Sequence, residues 1–447
     1  MNLFIRCAAG ITFLSVYCVT TPVFAQSQLT LGQAVRLAQE NDPWLDGSRL
    51  RQEATEAMSV AASALPDPTV SLGVANLPID SFNFAQEPMT QLVVGVSQMF
   101  PRGDTRNLRR QQLIEVSAQQ PLLRSDRQAK LAKLVSQLWL ENYRYEETIR
   151  LIEQDRSSFE YLADVAELAY SNALARTSQQ NVIRAQVELT RLDDRLAALS
   201  QHRDVASAEL VEWLPSLVLA SWQLSKELPK LTIDNVTPIT NLSESEVMNA
   251  LLAHPSLQSI DQHIQANSIG VALAKQKYKP QLGLKASYGY RDSDSFGVDR
   301  SDFFSVGLSL DVPLFARKFK DKEVQSATAS YEASKTDKIL ALRAMRASLE
   351  SSIAALERLD QRKALYESRL LAEVNDNAEA SLNAYSNDNG DFEEVMRARI
   401  TELNTNIDFL NIRIDRLKTI AEINYFFTAA KPYAYVDQEP IGVPSND

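Results

Sequence analysis

The chain has 447 residues, 45% of them hydrophobic, and a formal net charge of −11, a balance that disfavours nucleic acid as a partner. That length exceeds what one compact core usually holds, so several domains or an elongated shape is expected. Beyond the first 25 residues no apolar run approaches eighteen residues, which excludes a membrane-spanning helix.

Residues 1–25 carry Arg6, an apolar region from Ala8 to Val19, and Val23-Phe24-Ala25, the small-residue pattern of a secretory cleavage site. A signal peptide is therefore expected there. Both cysteines, Cys7 and Cys18, fall inside it, so the mature chain is expected to hold neither disulfide nor thiol. Ser15-Val16-Tyr17 lacks the leucine and small residues of a lipoprotein signal, so lipid attachment at Cys18 is not expected.

Thr30 caps a short helix containing Ala34, Val35, Leu37 and Ala38, and Asn41-Asp42-Pro43 ends it and starts a second helix reaching about Leu65. The period then changes to two. Val70, Leu72 and Val74 alternate with smaller residues, as do Leu92, Val94 and Val96, which predicts two strands joined by a loop. From Asp104 to about Tyr170 there is no glycine, and Pro121 is the single break; a kinked helix of roughly 100 Å follows from about 1.5 Å per residue. Its return helix begins near Gln179 and sets Val182, Ala185, Leu189, Leu192, Leu196 and Leu199 in a heptad seam. Residues 213–241, with Pro215, Pro229 and Pro238, read as a small linking element.

The second half repeats the first. The spacings 255−43, 280−68, 307−95 and 313−101 are all 212, so proline and glycine landmarks recur at one offset. One repeat spans 26–212, the other 242–430, and 431–447 form a Pro-containing tail. In the second copy Leu282, Leu284, Ala286, Tyr288 and Tyr290 oppose Gly283, Lys285, Ser287 and Gly289. Phe304, Val306, Leu308, Leu310 and Val312 likewise oppose Ser305, Gly307, Ser309 and Asp311. A helix from about Arg317 to Tyr385 turns at a polar stretch with Asn389-Gly390. It returns with Met396, Ile400, Leu403, Ile407, Leu410, Ile414, Leu417 and Ala421 on one seam.

Strands of roughly ten residues with one apolar and one small or polar face suit an outer-membrane barrel; a single such strand better suits a half-buried sheet of a soluble domain, but four of them with a signal peptide and no spanning helix reverse that preference. Leu282, Leu284, Tyr288, Tyr290, Phe304, Val306, Leu308 and Leu310 are the candidate lipid-facing residues. Four strands cannot close a barrel and open edges are not tolerated in hydrocarbon, so the membrane reading requires several copies.

These elements together resemble the TolC family of outer-membrane channels. The most specific pieces are Leu65-Pro66-Asp67-Pro68, Ser97-Gln98-Met99-Phe100-Pro101-Arg102-Gly103, Asp311-Val312-Pro313-Leu314-Phe315 and Ser178-Gln179-Gln180-Asn181-Val182-Ile183-Arg184-Ala185-Gln186. The first two look closest to channels paired with heavy-metal exporters. The resemblance implies an α+β membrane protein in which long antiparallel helical hairpins form a periplasmic α-barrel below a transmembrane β-barrel completed by trimerisation, four strands from each protomer. It further implies an exit duct in the outer membrane with a periplasmic extension, contacting outer-membrane lipid, a periplasmic adaptor and an inner-membrane pump of the RND class, and passing metal cations or drugs. The exit of a type I secretion system and a soluble periplasmic coiled-coil adaptor are the alternatives.

In the family, acidic residues ring the closed periplasmic tip. Glu393 and Glu394, with Asp391 nearby, match that place by position and would form rings of three charges favouring cations. Acids at a solvated helix start, favoured by the helix dipole, are the plainer reading of the same residues. Asn181 stands where an Asp is frequent, and Arg397 where another acid can occur. His202, His254 and His263 are not spaced as a metal set, His254 reads as a turn residue, and no nucleophile elbow, phosphate loop or carboxylate pair stands out. No enzymatic activity, cofactor or bound metal is expected.

Overall fold

The computed structural model describes residues 27–171, 179–214, 222–233, 243–312, 315, 317–387 and 390–428. The expected signal peptide and the tail from 431 lie outside them. In chain order the elements are β1 (Ser27–Leu29), α1 (Leu31–Glu40), α2 (Pro43–Ala61), β2 (Thr69–Ala75), β3 (Gln91–Phe100), α3 (Thr105–Ser171) and α4 (Gln179–Val211). There follow β4 (Trp222–Leu224), α5 (Glu244–Leu252), α6 (Pro255–Gln276), β5 (Gln281–Tyr290) and β6 (Phe303–Asp311). The chain then forms α7 (Arg317–Leu365), a π-turn (Tyr366–Leu370), α8 (Leu371–Ser386) and α9 (Phe392–Phe426).

The duplication is structural. The first residues of α2 and α6, of β3 and β6, and of α3 and α7 are each 212 apart. The boundary residues obey the same logic. Thr30 and Ser243 each cap a short helix through a capping box, with Gln33 and Glu246 reaching back. Pro43 and Pro255 each open the next helix, where a missing N–H costs nothing. The second helix stops at Ala61, short of the expected Leu65, and α3 runs through Pro121 without ending.

The four long strands form one antiparallel sheet in the order β2-β3-β5-β6. Its register aligns Leu72, Val94, Tyr288 and Phe304 in one row and Ser71, Gly95, Ser287 and Ser305 in the next. Below the sheet, α2 packs on α3, α3 on α6 and α6 on α7, so the helices continue the strand order.

The return helices carry the seams. On α9, Met396, Leu403, Ile407, Leu410, Ile414, Leu417 and Ala421 are buried, and on α4 Ala185 and Leu192 are buried with Val182, Leu189, Leu196 and Leu199 packed beside them. A second core lies at the waist, where Trp139 of α3 is fully buried among Leu29, Leu31, Val35, Leu140, Leu210 and Ile414. Its indole N–H donates to the Leu29 carbonyl at 3.1 Å. The linking element contributes β4, which pairs in parallel with β1, Ser27 opposite Trp222. The sequence offered no period for these three-residue strands. Charged pairs bind α3 to α9: Arg144 with Asp415, Lys418 with Glu141 at 2.6 Å, and Lys133 with Glu422 at 3.4 Å.

The 212-residue offset also pairs Asp42 with His254, and both are buried N-caps. Asp42 accepts from the Trp44 N–H at 3.1 Å and His254 Nδ1 from the Ser256 N–H at 3.2 Å. His254 is therefore not a plain turn residue. With Nδ1 accepting, Nε2 carries the proton and donates to the Tyr425 carbonyl at 3.1 Å. Tyr425 in turn donates to Asp126 at 2.9 Å, and Asp126 pairs with Lys130 at 2.7 Å. Burial holds the His254 pKa below its ordinary value, against the opposing pull of Asp126. A depressed folded-state pKa means the unfolded chain binds more protons, so this stability is full above about pH 6.5 and is lost as pH falls below it. Denaturation midpoints of the mature protein should drop between pH 7.5 and 5.5, and His254→Gln should flatten that part of the drop. An equal pH dependence in the variant would place the effect elsewhere.

Candidate functional site

Two surfaces stand out: the lower ends of the hairpins and the face of the sheet. At the lower end, Gly390 permits the turn into α9, because a Cβ there would lie 2.6 Å from the Tyr385 backbone nitrogen. Asn389 and the first hairpin turn, 172–178, lie outside the described residues. Asp391 caps α9, accepting from the Glu393 N–H at 3.3 Å, while its carbonyl accepts from Glu394 and Val395. Behind the cap, Phe392, Val395 and Met396 are buried against Ile152, Phe159, Leu162 and Ala166 of α3 and Ala185 of α4. Tyr385 meets Phe392 edge-on at 5.8 Å between ring centroids. The tip is thus an apolar plug of helices from both repeats with its acids on the outside.

The three acids differ. Glu393 is held between Arg184 of α4 and Arg397 one turn on, the latter at 2.7 Å. The Arg184 hydrogen bond and charge, with Arg397 adding, keep its carboxyl below the usual carboxylate range. Glu393 is therefore a tie between the two return helices. Asp391 and Glu394 are exposed, and among the described residues neither makes an ion pair. The Arg184 tie went unread in the sequence, although opposite charges stand near the starts of both return helices.

In the sheet, every candidate apolar residue lies on one face. Leu282, Leu284, Tyr288 and Tyr290 of β5 share it with Phe304, Val306, Leu308 and Leu310 of β6, and Val70, Leu72, Val74, Leu92, Val94 and Val96 extend it across β2 and β3. These side chains stay exposed; Leu308 is 69% and Phe304 73% accessible. Such a contiguous apolar face marks an interaction surface. The opposite face carries Ser, Gly, Gln91, Gln281, Lys285 and Asp311, with Val93, Met99 and Phe303 among them. Among the described residues β2 and β6 have no outer neighbour, so the sheet has two open edges. The two loops at its far end are tied together, Arg300 donating to the carbonyls of Glu87 at 3.0 Å and Ala85 at 3.1 Å. No described helix is long and apolar enough to cross a membrane.

Residues 247–424 match the outer membrane efflux protein family. No curated protein matches the chain by sequence. Among solved structures, the Campylobacter jejuni CmeC outer membrane channel is 14% identical, with 96% of this chain and 94% of that one covered and a TM-score of 0.74. The Vibrio cholerae outer membrane protein VceC is also 14% identical, covering 89% and 96% at a TM-score of 0.72. A Pseudomonas aeruginosa membrane protein is 13% identical, covering 89% and 93% at 0.72. At such identities these likenesses establish the fold.

Proposed function

We propose that this chain, which carries an outer membrane efflux protein domain in its second half and folds throughout as the outer-membrane channels do, is the passive exit duct of a tripartite efflux system. The observation that carries the reading is the sheet: strands of seven to ten residues, one exposed apolar face, one mostly polar face and two open edges. An open edge in hydrocarbon leaves backbone groups unsatisfied at several kcal/mol each, so only closure with further copies suits a membrane. The order β2-β3-β5-β6 lets β6 of one copy pair antiparallel with β2 of the next. Three copies would give twelve strands, with the apolar face toward outer-membrane lipid and the helices hanging into the periplasm as a tunnel. A soluble adaptor would leave that face with nothing to cover it. Partners of a duct are a periplasmic adaptor at the helical tip and an inner-membrane pump; the duct itself needs no catalytic chemistry, and cargo is chosen upstream.

The test is molar mass, by light scattering corrected for detergent, of protein extracted from outer membranes. Three chains recovered only with detergent supports the duct; a soluble monomer sinks it.

The aperture acids give a second expectation. Glu394 is exposed and makes no ion pair among the described residues, so in planar bilayers Glu394→Gln should lower the cation-to-anion permeability ratio several-fold, as removal of a charge ring does. Glu393→Gln removes a carboxylate already matched by two arginines and should alter selectivity less. A larger selectivity change for Glu393→Gln would reverse these roles.

A further inference from the structure

Where the strands pass into the helices, α3, α6 and α7 enclose a cleft of about 600 Å³. Arg102, Arg109, Lys277 and Lys320 line it, against the single lining carboxylate of Glu323. Two of the cations are already matched: Arg102 pairs with Asp311 and Lys277 with Glu323. The other two are not. Arg109 donates only to Gln112, at 2.8 Å, and Lys320, 9% exposed, has no hydrogen bond or ion pair among the described residues. The Lys320 side chain is largely covered while its ammonium stays open to the cleft, so an anion there would meet an unmatched cation. Pro101, Leu273 and Phe319 give the same cleft an apolar wall.

Register fixes the side on which the cleft opens. Gln281 lines it, and Gln281 pairs with Asp311 on the polar face, one residue out of step with Leu282 and Leu310. In a closed barrel with its apolar face toward lipid, that polar face is the lumen wall.

We propose that this cleft is a lumenal binding site for small anionic amphiphiles, molecules with a sulfonate, phosphate or carboxylate head on a short apolar body. Lys320 and Arg109 take the head and Leu273 and Phe319 the body. The lumenal placement rests on the duct reading; the binding chemistry does not. The site recurs once per chain, so a closed ring carries three, well above the acidic aperture. Cargo that enters past carboxylates then meets a band of opposite sign near the exit.

The experiment is calorimetric titration of the full mature protein in a nonionic detergent with sodium octanesulfonate, octyltrimethylammonium and inorganic phosphate. Expected are saturable octanesulfonate binding at one per chain, competition by phosphate, and no binding of the cationic amphiphile. Lys320→Gln should weaken octanesulfonate roughly tenfold or more. Should that buried variant fail to assemble, Arg109→Gln, at an exposed position, should still weaken binding several-fold. No saturable binding by the parent protein, equal binding of octyltrimethylammonium, or unchanged affinity in both variants would overturn the site. Molar mass measured on the same sample separates the two readings: trimers without binding refute the cleft alone, and monomers that bind refute the duct alone.

Discussion

The Trp139→Ala protein is expected to lose about 3–5 kcal/mol of stability, the cost of emptying a fully buried aromatic site. Trp139 is the point at which four separate segments meet. Leu29 of β1, Leu31 of α1, Leu210 of α4 and Ile414 of α9 share its cluster, so the cavity would be bordered by elements far apart in sequence that cannot all relax inward. The indole N–H also donates to the Leu29 carbonyl, which would then keep only the Ser225 N–H, at 3.2 Å. Trp139→Phe should therefore recover most of the packing but leave a deficit of about 1 kcal/mol from the missing donor. Guanidinium unfolding of the mature protein in detergent measures both. A Trp139→Ala loss below about 1 kcal/mol would mean that the waist is held by the charged pairs between α3 and α9.

The second large effect concerns the sheet. Leu308→Arg places a guanidinium on the apolar face of β6, where a charge near mid-membrane costs about 2–4 kcal/mol. Ser305→Arg adds the same group to the same strand on the polar face and should be tolerated. The amount of detergent-extracted trimer in outer membranes should fall sharply for the first variant and stay near normal for the second. Equal losses would show that β6 senses a disrupted edge rather than lipid, and would remove the sidedness on which the duct depends.

The strands and long helices were legible because each rests on a period. The alternation of Leu282 to Tyr290 and the 4-and-3 steps from Met396 to Ala421 need no tertiary information; the strand residues share one exposed face, and the helical seam is buried except for the half-buried Ile400. What escaped was pairwise and nonlocal. β1 and β4 are too short for a period and exist because each supplies the other's hydrogen bonds. Arg184 lies far from Glu393 in sequence, so nothing local told that acid apart from Glu394. His254 was legible in principle, since it shares an offset and a following proline with the cap Asp42, but a histidine cap lacks the usual carboxylate or hydroxyl signature. Lys320 gave no signal at all among its neighbouring lysines; only the helices folded around it make it distinctive.

The interruption of the second descending arm has a mechanical consequence. In the first repeat the comparable arm is one helix of 67 residues, its proline set close beneath the strands. In the second, 49 residues of α-helix end in the π-turn at Tyr366–Leu370 before α8 resumes toward the tip. A π-turn is a local slackening of an otherwise stiff rod. The two arms are therefore jointed at different heights, and a pull on the tip would swing the lower length of one while the other follows as a single beam. Around a ring of three copies, compliant and stiff staves would alternate.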